Sequence, residues 1–242
     1  MEQKTAIVIG ASTGIGAATA EALAQQYKKI AITSFRHPEK LKEVQQKILA
    51  QGTDCYAETG DAGDFTFVKQ FIEHVTEHFG EKIDLLVNNA GISYVGLLTD
   101  MDETDWKRII DTNITSVFNT CRQVVPYMVH AHKGRIINIS SVWGNVGASC
   151  EVAYSATKGA VNAFTKALAK ELAPSGIAVN AIAFGAIDTT MNGHLSLEEK
   201  TALEEEIPFG RMAKEAADFI VTAANAGSYL TGQVLTFDGG WQ

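Results

Sequence analysis

The chain has 242 residues, of which 46% are hydrophobic and 20% are charged, and its formal net charge is −8. This length suits a single α/β domain, and this composition excludes a disordered chain. The acidic balance, with no run of Lys or Arg, argues against nucleic acid as a partner, because a phosphate backbone needs a basic footprint.

The N-terminal segment enters an apolar run that breaks at Gly10. This run is too short for a signal peptide or a membrane span, so we expect a cytoplasmic protein with no membrane partner. The three cysteines of the chain show no CxxC spacing, which is typical of reduced thiols. His74 with His78 and His130 with His132 form close pairs without further ligands, so we predict solvated helix faces and no metal site.

Apolar runs rich in β-branched residues alternate with longer segments of helical spacing along the whole chain. The alternation predicts one domain, 1–242, with a Rossmann-like, doubly wound parallel sheet of about seven strands and helices on both faces. The predicted strands are 5–10, 29–34, 55–58, 83–90, 134–140, 177–183 and 233–237. The predicted helices are 14–26, 38–51, 64–79, 103–130, 151–173 and 214–226.

Proline and glycine mark the joints between these elements. Pro38 is expected to open the second helix, and Pro174 with Gly176 to close the fifth. The segment 185–212 is polar, acidic and too long for a simple connection. Such segments are usually functional, so we predict a lid over a substrate site at about 185–212.

A glycine-rich turn follows the first predicted strand, in the sequence IVIGASTGIG. At this place backbone amides and a helix N-terminus can face a pyrophosphate. The spacing G-x-x-x-G-x-G also arises by chance in a chain with 21 glycines, but its position at the start of the alternation favours a dinucleotide site. The predicted cofactor contacts in this turn are Gly10, Ser12, Thr13, Gly14, Ile15 and Gly16.

The end of the second strand indicates which nicotinamide cofactor binds. Neutral Ser34 and basic Arg36 stand where an acidic residue would favour NAD, so a 2′-phosphate is accepted and NADP(H) is predicted. The alternative for Arg36 is a surface cation near a helix start. Asp61, followed by Ala62, is a candidate partner for the adenine; the alternative is a helix N-cap, a role that Asp64 fits better.

In the sequence YSATK, Tyr154 and Lys158 lie on one face of a predicted helix. A tyrosine exchanges protons near neutral pH only when positive charge stabilises its phenolate, and Lys158 with an oxidised nicotinamide supplies that charge. The alternative is a packed tyrosine beside a lysine that extends to solvent.

Several motifs occur in one order: the glycine turn, NNAG at 88–91, NI at Asn113, ISS at the end of the fifth strand, and YSATK. In this order and context the chain resembles the short-chain dehydrogenase/reductase family over essentially its whole length. The resemblance implies that Tyr154 protonates the substrate carbonyl while Ser141 orients it. It implies that Lys158 tunes Tyr154 and binds the nicotinamide ribose, and that Asn113 holds a relay water. The further cofactor contacts that it implies are Asn89, Ala90, Gly91, Gly185, Ile187 and Thr189.

The chain departs from the family pattern at two places. Phe184 stands before Gly185 where the family usually has proline, so the loop over the nicotinamide is expected to be less rigid. The region between 210–212 and 229–233 is short, which puts the last helix in doubt.

The chain is similar overall to NADPH-dependent 3-oxoacyl-acyl-carrier-protein reductases. The stretches SSVWGNVGASCEVAYSATK and DTTMN (188–192), however, look more like a sister group, the elongation factor P 5-aminopentanone reductases. In the second case the pocket would be shaped by Trp143, Cys150, Glu151 and Met191, which otherwise only pack the rim. An acidic carrier protein requires basic residues at the cleft mouth. The candidate rim is His132, Lys133, Arg135 and Ser175, whereas the predicted lid carries Glu198, Glu199, Glu204, Glu205 and Glu206.

The acidity of the lid suits an amino-ketone better, with Glu151 as a candidate partner for its amine. A third possibility is an NADPH-binding regulator that has lost the reaction; the presence of all four catalytic positions argues against it. The helices 103–130 and 151–173 are apolar on more than one side, which predicts self-association. The resemblance implies a homotetramer.

Overall fold

The chain folds around a seven-stranded parallel sheet in this computed structural model, which describes residues 3–189, 193 and 195–242. The strands are β1 (Thr5–Ile9), β2 (Lys29–Ser34), β3 (Asp54–Thr59), β4 (Leu85–Asn88), β5 (Gly134–Ser141), β6 (Ile177–Phe184) and β7 (Val234–Phe237). Their order is β3-β2-β1-β4-β5-β6-β7, and every neighbouring pair is parallel. The predicted fold class is confirmed.

Helices cover both faces of the sheet. They are α1 (Gly14–Leu23), α2 (Pro38–Ala50), α3 (Phe65–Phe79), α4 (Glu103–Ile110), α5 (Ser116–Ala131), α6 (Trp143–Val146), α7 (Val152–Leu172), α8 (Leu197–Glu206) and α9 (Ala216–Asn225). α1, α2 and α9 pack on one face around side chains such as Leu23 and Ile220. α3, α5 and α7 pack on the other face around side chains such as Phe71 and Val161.

The strand order reverses between β1 and β4. β1 pairs with β2 on one side and with β4 on the other, and the chain leaves these two strands toward opposite halves of the sheet. In open parallel sheets a crevice forms outside the carboxyl ends of the strands at this point. The fold therefore places a ligand cleft above Ile9 and Asn88.

The predicted helix 103–130 is interrupted. α4 ends at Ile110, a π-helical turn spans Asp111–Thr115, and α5 begins at Ser116. The hydrophobic spacing continues through the break, so it gave no sign of the wider turn. Such turns are frequent at functional sites.

One unanticipated helix lies in the predicted lid, and one helix that had been in doubt is present. α8 lies within the predicted lid and begins with a capping box, in which Ser196 and Glu199 bond each other's backbone amides. This S-x-x-E signature was available in the sequence. The last helix, α9, is present despite the short connection. Pro38 opens α2 and Gly176 closes the turn after α7 with φ 74°, as predicted.

The helices proposed for self-association bury only part of their apolar residues within the chain. Val117, Val124 and Val161 are buried in the core, whereas Phe118 remains 48% exposed and stacks on Phe65. No helix in the described ranges combines the length and hydropathy that crossing a bilayer requires.

Candidate active site

A cleft of about 820 Å³ opens above the carboxyl ends of β1 and β4. Most of the predicted cofactor residues line it: Gly10, Ser12, Thr13, Gly14, Ile15, Ser34, Arg36, Asp61, Asn89, Ala90, Gly91 and Thr189. These residues come from five separate segments of the chain, which meet at this cleft. The cleft also takes Lys107, Arg108 and Asp111 from α4 and the turn after it, which the sequence analysis did not anticipate.

Gly16 lies beside this cleft and not in its lining. A Cβ at this position would lie 2.2 Å from the carbonyl oxygen of Gly10 and 2.4 Å from Nδ2 of Asn89. Asn89 Nδ2 donates to that same carbonyl at 2.8 Å. Gly16 therefore lets α1 pack against the end of β1, which holds the glycine turn in shape.

The polar residues at the far end of the cleft are held by local hydrogen bonds. The Ser34 hydroxyl donates to the carbonyl of Arg36, which fixes the loop after β2. Asp61 Oδ1 accepts from the amide of Gly63 at 2.8 Å. Asp64 is the N-cap of α3, as expected, so Asp61 is left at the cleft.

Ala62 is not among the residues that line the cleft. It is 7% exposed and packs in the core, and its carbonyl accepts a hydrogen bond from Asn119 at 3.0 Å. Its predicted cofactor contact is not supported by this placement.

A second cleft of about 470 Å³ adjoins the first and shares Ile15, Asn89, Gly91 and Thr189 with it. Ser141, at the end of β5, faces Tyr154 and Lys158 from α7 across this cleft. Because the two clefts are continuous, a molecule in the first can extend into the space beside these three side chains.

Tyr154 is joined to Ser141 by a side-chain hydrogen bond, and Ser141 Oγ also accepts from the amide of Trp143 at 3.2 Å. Burial raises the pKa of Tyr154 to about 12, Glu151 adds to the rise, and the hydrogen bond from Ser141 opposes it. Lys158 is not among the groups that shift this pKa within the chain alone. Tyr154 is therefore a protonated donor at neutral pH.

Lys158 is 3% exposed, and its Nζ donates to the carbonyl of Ile139 at 2.8 Å. Burial lowers the pKa of this ammonium group to about 8. The same Nζ lies 5.6 Å from the centroid of the Tyr154 ring, so the ammonium group is close to the phenol while its hydrogen bond goes to Ile139.

Asn113 lies in the π-helical turn and is buried. Its side-chain oxygen accepts from the amide of Ile92 at 2.8 Å, and its Nδ2 donates to the carbonyl of Ile92 at 2.8 Å and to Thr157 Oγ1 at 3.1 Å. Asn113 thus ties the loop after β4 to α7. A Cβ at Gly91 would lie 3.4 Å from Lys158 Nζ and 3.6 Å from Asn113 Oδ1, so these polar groups meet around Gly91.

The segment after β6 supplies the remaining predicted contacts. Gly185, Ile187 and Thr189 line the second cleft, and Thr189 lies over Gly14. Phe184, at the position where proline was expected, is buried and packs edge-on against Phe237 with ring centroids 5.8 Å apart.

The residues predicted to shape the substrate pocket are only partly brought together. Trp143 and Glu151 line the second cleft. Cys150 does not; it adopts φ 63°, and its carbonyl accepts from the amide of Gly96 at 2.8 Å. Met191 lies outside the described residues. Leu195, Leu203 and Glu206 also line this cleft, and they belong to the segment 185–212 that was predicted as a lid. Val95 and Trp241, far apart in the chain, were not anticipated.

The basic residues predicted to form a rim for a carrier protein do not lie at the mouth of this cleft. His132 and Ser175 precede β5 and β6, so they lie at the amino ends of the strands, whereas the cleft lies at the carboxyl ends. Arg135 is committed elsewhere, because its guanidinium donates to the carbonyls of Ala223 and Ala226 at the end of α9. Arg135 is therefore a helix-capping residue.

The histidines of α3 contact carboxylates from β3. His74 contacts Glu58 at 2.9 Å, and His78 contacts Asp54 at 3.3 Å. Within the ranges that the structure describes, no group of three or more His, Cys, Asp or Glu side chains is arranged to hold a metal ion.

Comparison with known proteins agrees with this geometry. The model of the short chain dehydrogenase family matches residues 4–200. YmfI of Bacillus subtilis (strain 168), an uncharacterized oxidoreductase, is 38% identical, with 98% of each chain covered. The 3-oxoacyl-[acyl-carrier-protein] reductase FabG of Staphylococcus aureus (strain Mu50) is 40% identical, with 98% of this chain and 97% of its own covered.

An actinorhodin polyketide ketoreductase variant, solved with NADPH, superposes with a TM-score of 0.92 at 30% identity, over 99% of this chain and 97% of its own. With the fold, the joined clefts and these relatives taken together, the chain belongs to the short chain dehydrogenase family and is an oxidoreductase.

Proposed function

We propose that the protein reduces a ketone to a secondary alcohol with NADPH. The observation that carries this proposal is the placement of Ser141, Tyr154 and Lys158 on a cleft continuous with the glycine-turn cleft. A reductase needs a proton donor beside the site where hydride is delivered, and Tyr154 is protonated at neutral pH.

The residues of the larger cleft fit a dinucleotide. The glycine turn at the start of α1 presents backbone amides to a pyrophosphate, and Asn89 to Gly91 form the facing wall. Arg36 at the edge of this cleft would pair with a 2′-phosphate, which favours NADPH over NADH. When bound, the cofactor supplies the hydride.

The protein's own side chains perform the remaining steps. Ser141 would donate a hydrogen bond to the substrate carbonyl oxygen and hold it against Tyr154. Tyr154 would give its proton to that oxygen as the carbonyl carbon is reduced. Lys158 would bind the ribose hydroxyls, and its positive charge would then favour the phenolate that remains. Asn113 would hold a water on the path by which Tyr154 regains its proton.

For the substrate, we propose a 3-oxoacyl thioester, such as the one carried by acyl carrier protein. The support comes from relatives that are named 3-oxoacyl-[acyl-carrier-protein] reductases and share about 40% identity over nearly the whole chain. The second cleft has an apolar wall that would accept an acyl chain, formed by Val95, Phe184, Leu195 and Leu203.

A second candidate is an amino-ketone, such as the 5-aminopentanone group on elongation factor P. One observation favours it: among the described residues that line the second cleft, Glu151 and Glu206 are acidic and Lys158 is the single basic residue. An ammonium group would be attracted to such a cleft. Glu151→Gln should then raise the KM for an amino-ketone and leave that for an uncharged ketone unchanged.

The test follows NADPH oxidation by absorbance with an acetoacetyl thioester and, in parallel, a small amino-ketone. Turnover of the thioester supports the first substrate, and turnover of the amino-ketone alone supports the second. Binding of NADPH without turnover of either would contradict ketone reduction and favour a regulator. Tyr154→Phe serves as the control, because any turnover it retains does not come from this site. We further propose a cytoplasmic homotetramer, which light scattering would test.

A further inference from the structure

We propose that Trp241, in the segment after β7, determines which ketones the protein accepts, by forming one wall of the substrate cleft with Trp143. This inference rests on the proposed ketone reduction and adds a specificity residue to it. The family motifs do not include Trp241, and no sequence pattern marks it.

The two indole rings pack against each other inside the second cleft. Their centroids lie 4.9 Å apart with an interplanar angle of 61°, an edge-to-face arrangement that aromatic pairs prefer. Both residues line the cleft that holds Ser141 and Tyr154. The amide of Trp143 donates to Ser141 Oγ at 3.2 Å, so the backbone of Trp143 is anchored at the hydroxyl that would orient the carbonyl.

The segment that carries Trp241 is held in place by Asp238. One carboxylate oxygen of Asp238 accepts from the amide of Gly240 at 3.0 Å, and the other accepts from the amide of Gln242 at 2.9 Å. The amide of Trp241 lies between these bonds and donates to the carbonyl of Asp238 at 3.4 Å. The turn therefore directs the Trp241 ring toward the cleft.

The same segment is anchored to both sides of the cleft. At Gly185, a Cβ would lie 2.8 Å from Cβ of Asp238, so the segment crosses the loop after β6 at close range. The amide of Phe209, in the connection after α8, donates to the carbonyl of Gly239 at 3.2 Å. The start of the segment that carries Trp241 is thus anchored to the loop after β6 and to the connection that follows α8.

A wall made of two packed indoles limits the bulk of the substituent on the ketone. Truncating one ring opens space directly beside the reacting carbonyl, and pocket contacts of this kind discriminate substrates by about 10-fold to 200-fold. We expect Trp241→Ala to raise kcat/KM for branched or aryl ketones relative to small unbranched ones by about tenfold. The KM for NADPH should change little, because Trp241 does not line the larger cleft.

The experiment measures kcat/KM over a series of ketones of increasing bulk for the wild type, Trp143→Ala, Trp241→Ala and the double variant. Because the two rings form one wall, the double variant should shift the preference by less than the product of the single shifts. Tyr229→Ala is the control: it removes a fully exposed aromatic ring from the connection before β7, away from the cleft, and its ketone profile should match the wild type.

Two further measurements examine the indole wall without relying on turnover. Trp241→Phe should abolish the exciton signal of the indole pair in circular dichroism while retaining an aromatic ring. Binding of the product alcohols to the NADP⁺ complex, followed by tryptophan fluorescence, should show the same change in size preference as the kinetics.

The outcomes separate this inference from the proposed function. Turnover with an unchanged size profile in Trp241→Ala would overturn the role of Trp241 and leave ketone reduction standing. Absence of turnover in the wild type would overturn ketone reduction. The alcohol-binding profiles would then decide the inference: a shift toward bulky alcohols in Trp241→Ala supports the wall, and identical profiles refute it.

Discussion

Lys158 Nζ lies 5.6 Å from the centroid of the Tyr154 ring and donates its hydrogen bond to the carbonyl of Ile139. The lysine is thus beside the proton donor without being bonded to its hydroxyl. Burial favours the neutral form of both groups, so it lowers the pKa of Lys158 and raises that of Tyr154. The following predictions test this arrangement and the clefts around it.

Tyr154→Phe should reduce kcat for ketone reduction by about 100-fold to 10,000-fold, because the phenol is the proposed proton donor. The dissociation constant for NADPH should stay within about threefold of the wild type, since the ring is retained. Steady-state kinetics and fluorescence titration measure the two quantities. Tyr229→Phe is the control, because its ring is exposed. A loss of less than tenfold in Tyr154→Phe would show that another group donates the proton.

The free energy of unfolding should depend on pH through Lys158. The pKa of Lys158 is lowered from 10.5 to about 8 in the folded chain. Between about pH 8 and pH 10.5 the lysine is protonated in the unfolded chain and largely neutral in the folded chain. Lys158 therefore makes the free energy of unfolding rise with pH over this range. Burial raises the pKa values of Cys55 and Cys121 from 9.0 to about 12. Above pH 9.0 these two thiols therefore make the free energy of unfolding fall with pH, which opposes the effect of Lys158.

The contribution of Lys158 is therefore best measured as a difference. Urea unfolding of the wild type and of Lys158→Met at several pH values between the two pKa values of Lys158 isolates it, because methionine retains much of the packing and does not titrate. The wild type should gain stability relative to Lys158→Met as pH rises. A difference that does not change with pH would contradict the lowered pKa.

Gly16→Ala should destabilise the fold and weaken NADPH binding. The added Cβ would lie 2.2 Å from the carbonyl of Gly10, and the clash is with backbone that cannot rotate away. Alanine favours a helix over glycine by about 1 kcal/mol, yet we expect a net loss of about 2 kcal/mol. Gly227→Ala is the matched control, since a Cβ there meets no atom within 4 Å. Thermal unfolding and NADPH titration compare the two variants.

Arg36→Ala should raise the KM for NADPH by about tenfold or more, because a charge-assisted hydrogen bond to phosphate contributes about 1.5–3 kcal/mol. The KM for NADH should change by less than about threefold, since NADH has no 2′-phosphate. Lys40→Ala removes an exposed cation from α2 and serves as the control. Equal effects on the two cofactors would contradict the pairing of Arg36 with that phosphate.

The sequence predicted the features that depend on local pattern. Each strand, the glycine turn, and the spacing of Tyr154 and Lys158 can be recognised from a few consecutive residues. The structure forms the strands and places the glycine turn, Tyr154 and Lys158 at adjoining clefts, as expected. A first-turn proline and an N-cap aspartate likewise marked the starts of α2 and α3. Repeated backbone geometry makes such signals readable without tertiary information.

The features that the sequence analysis missed depend on contacts between distant residues. The π-helical turn is associated with the bonds of Asn113 to Ile92, 21 positions away. Arg135 resembled a surface cation until its carbonyl partners, 88 and 91 positions away, were known. Trp143 follows β5 and Trp241 follows β7, and they meet because β6 pairs with both of these strands. Residue type and spacing carry none of this information.

The pairing of β1 with β4 has a consequence for folding. The amide of Thr5 donates to Asp84 Oδ2, 79 positions away, and β1 pairs with β4 up to Ile9 and Asn88, directly before the residues that line the cofactor cleft. Contacts of such sequence separation form late, because closing a long loop costs entropy before the contact stabilises it. Cofactor binding should thus appear only after the two halves of the sheet have joined. Recovery of NADPH affinity during refolding would therefore report on the closure of this seam, separately from the return of helical structure.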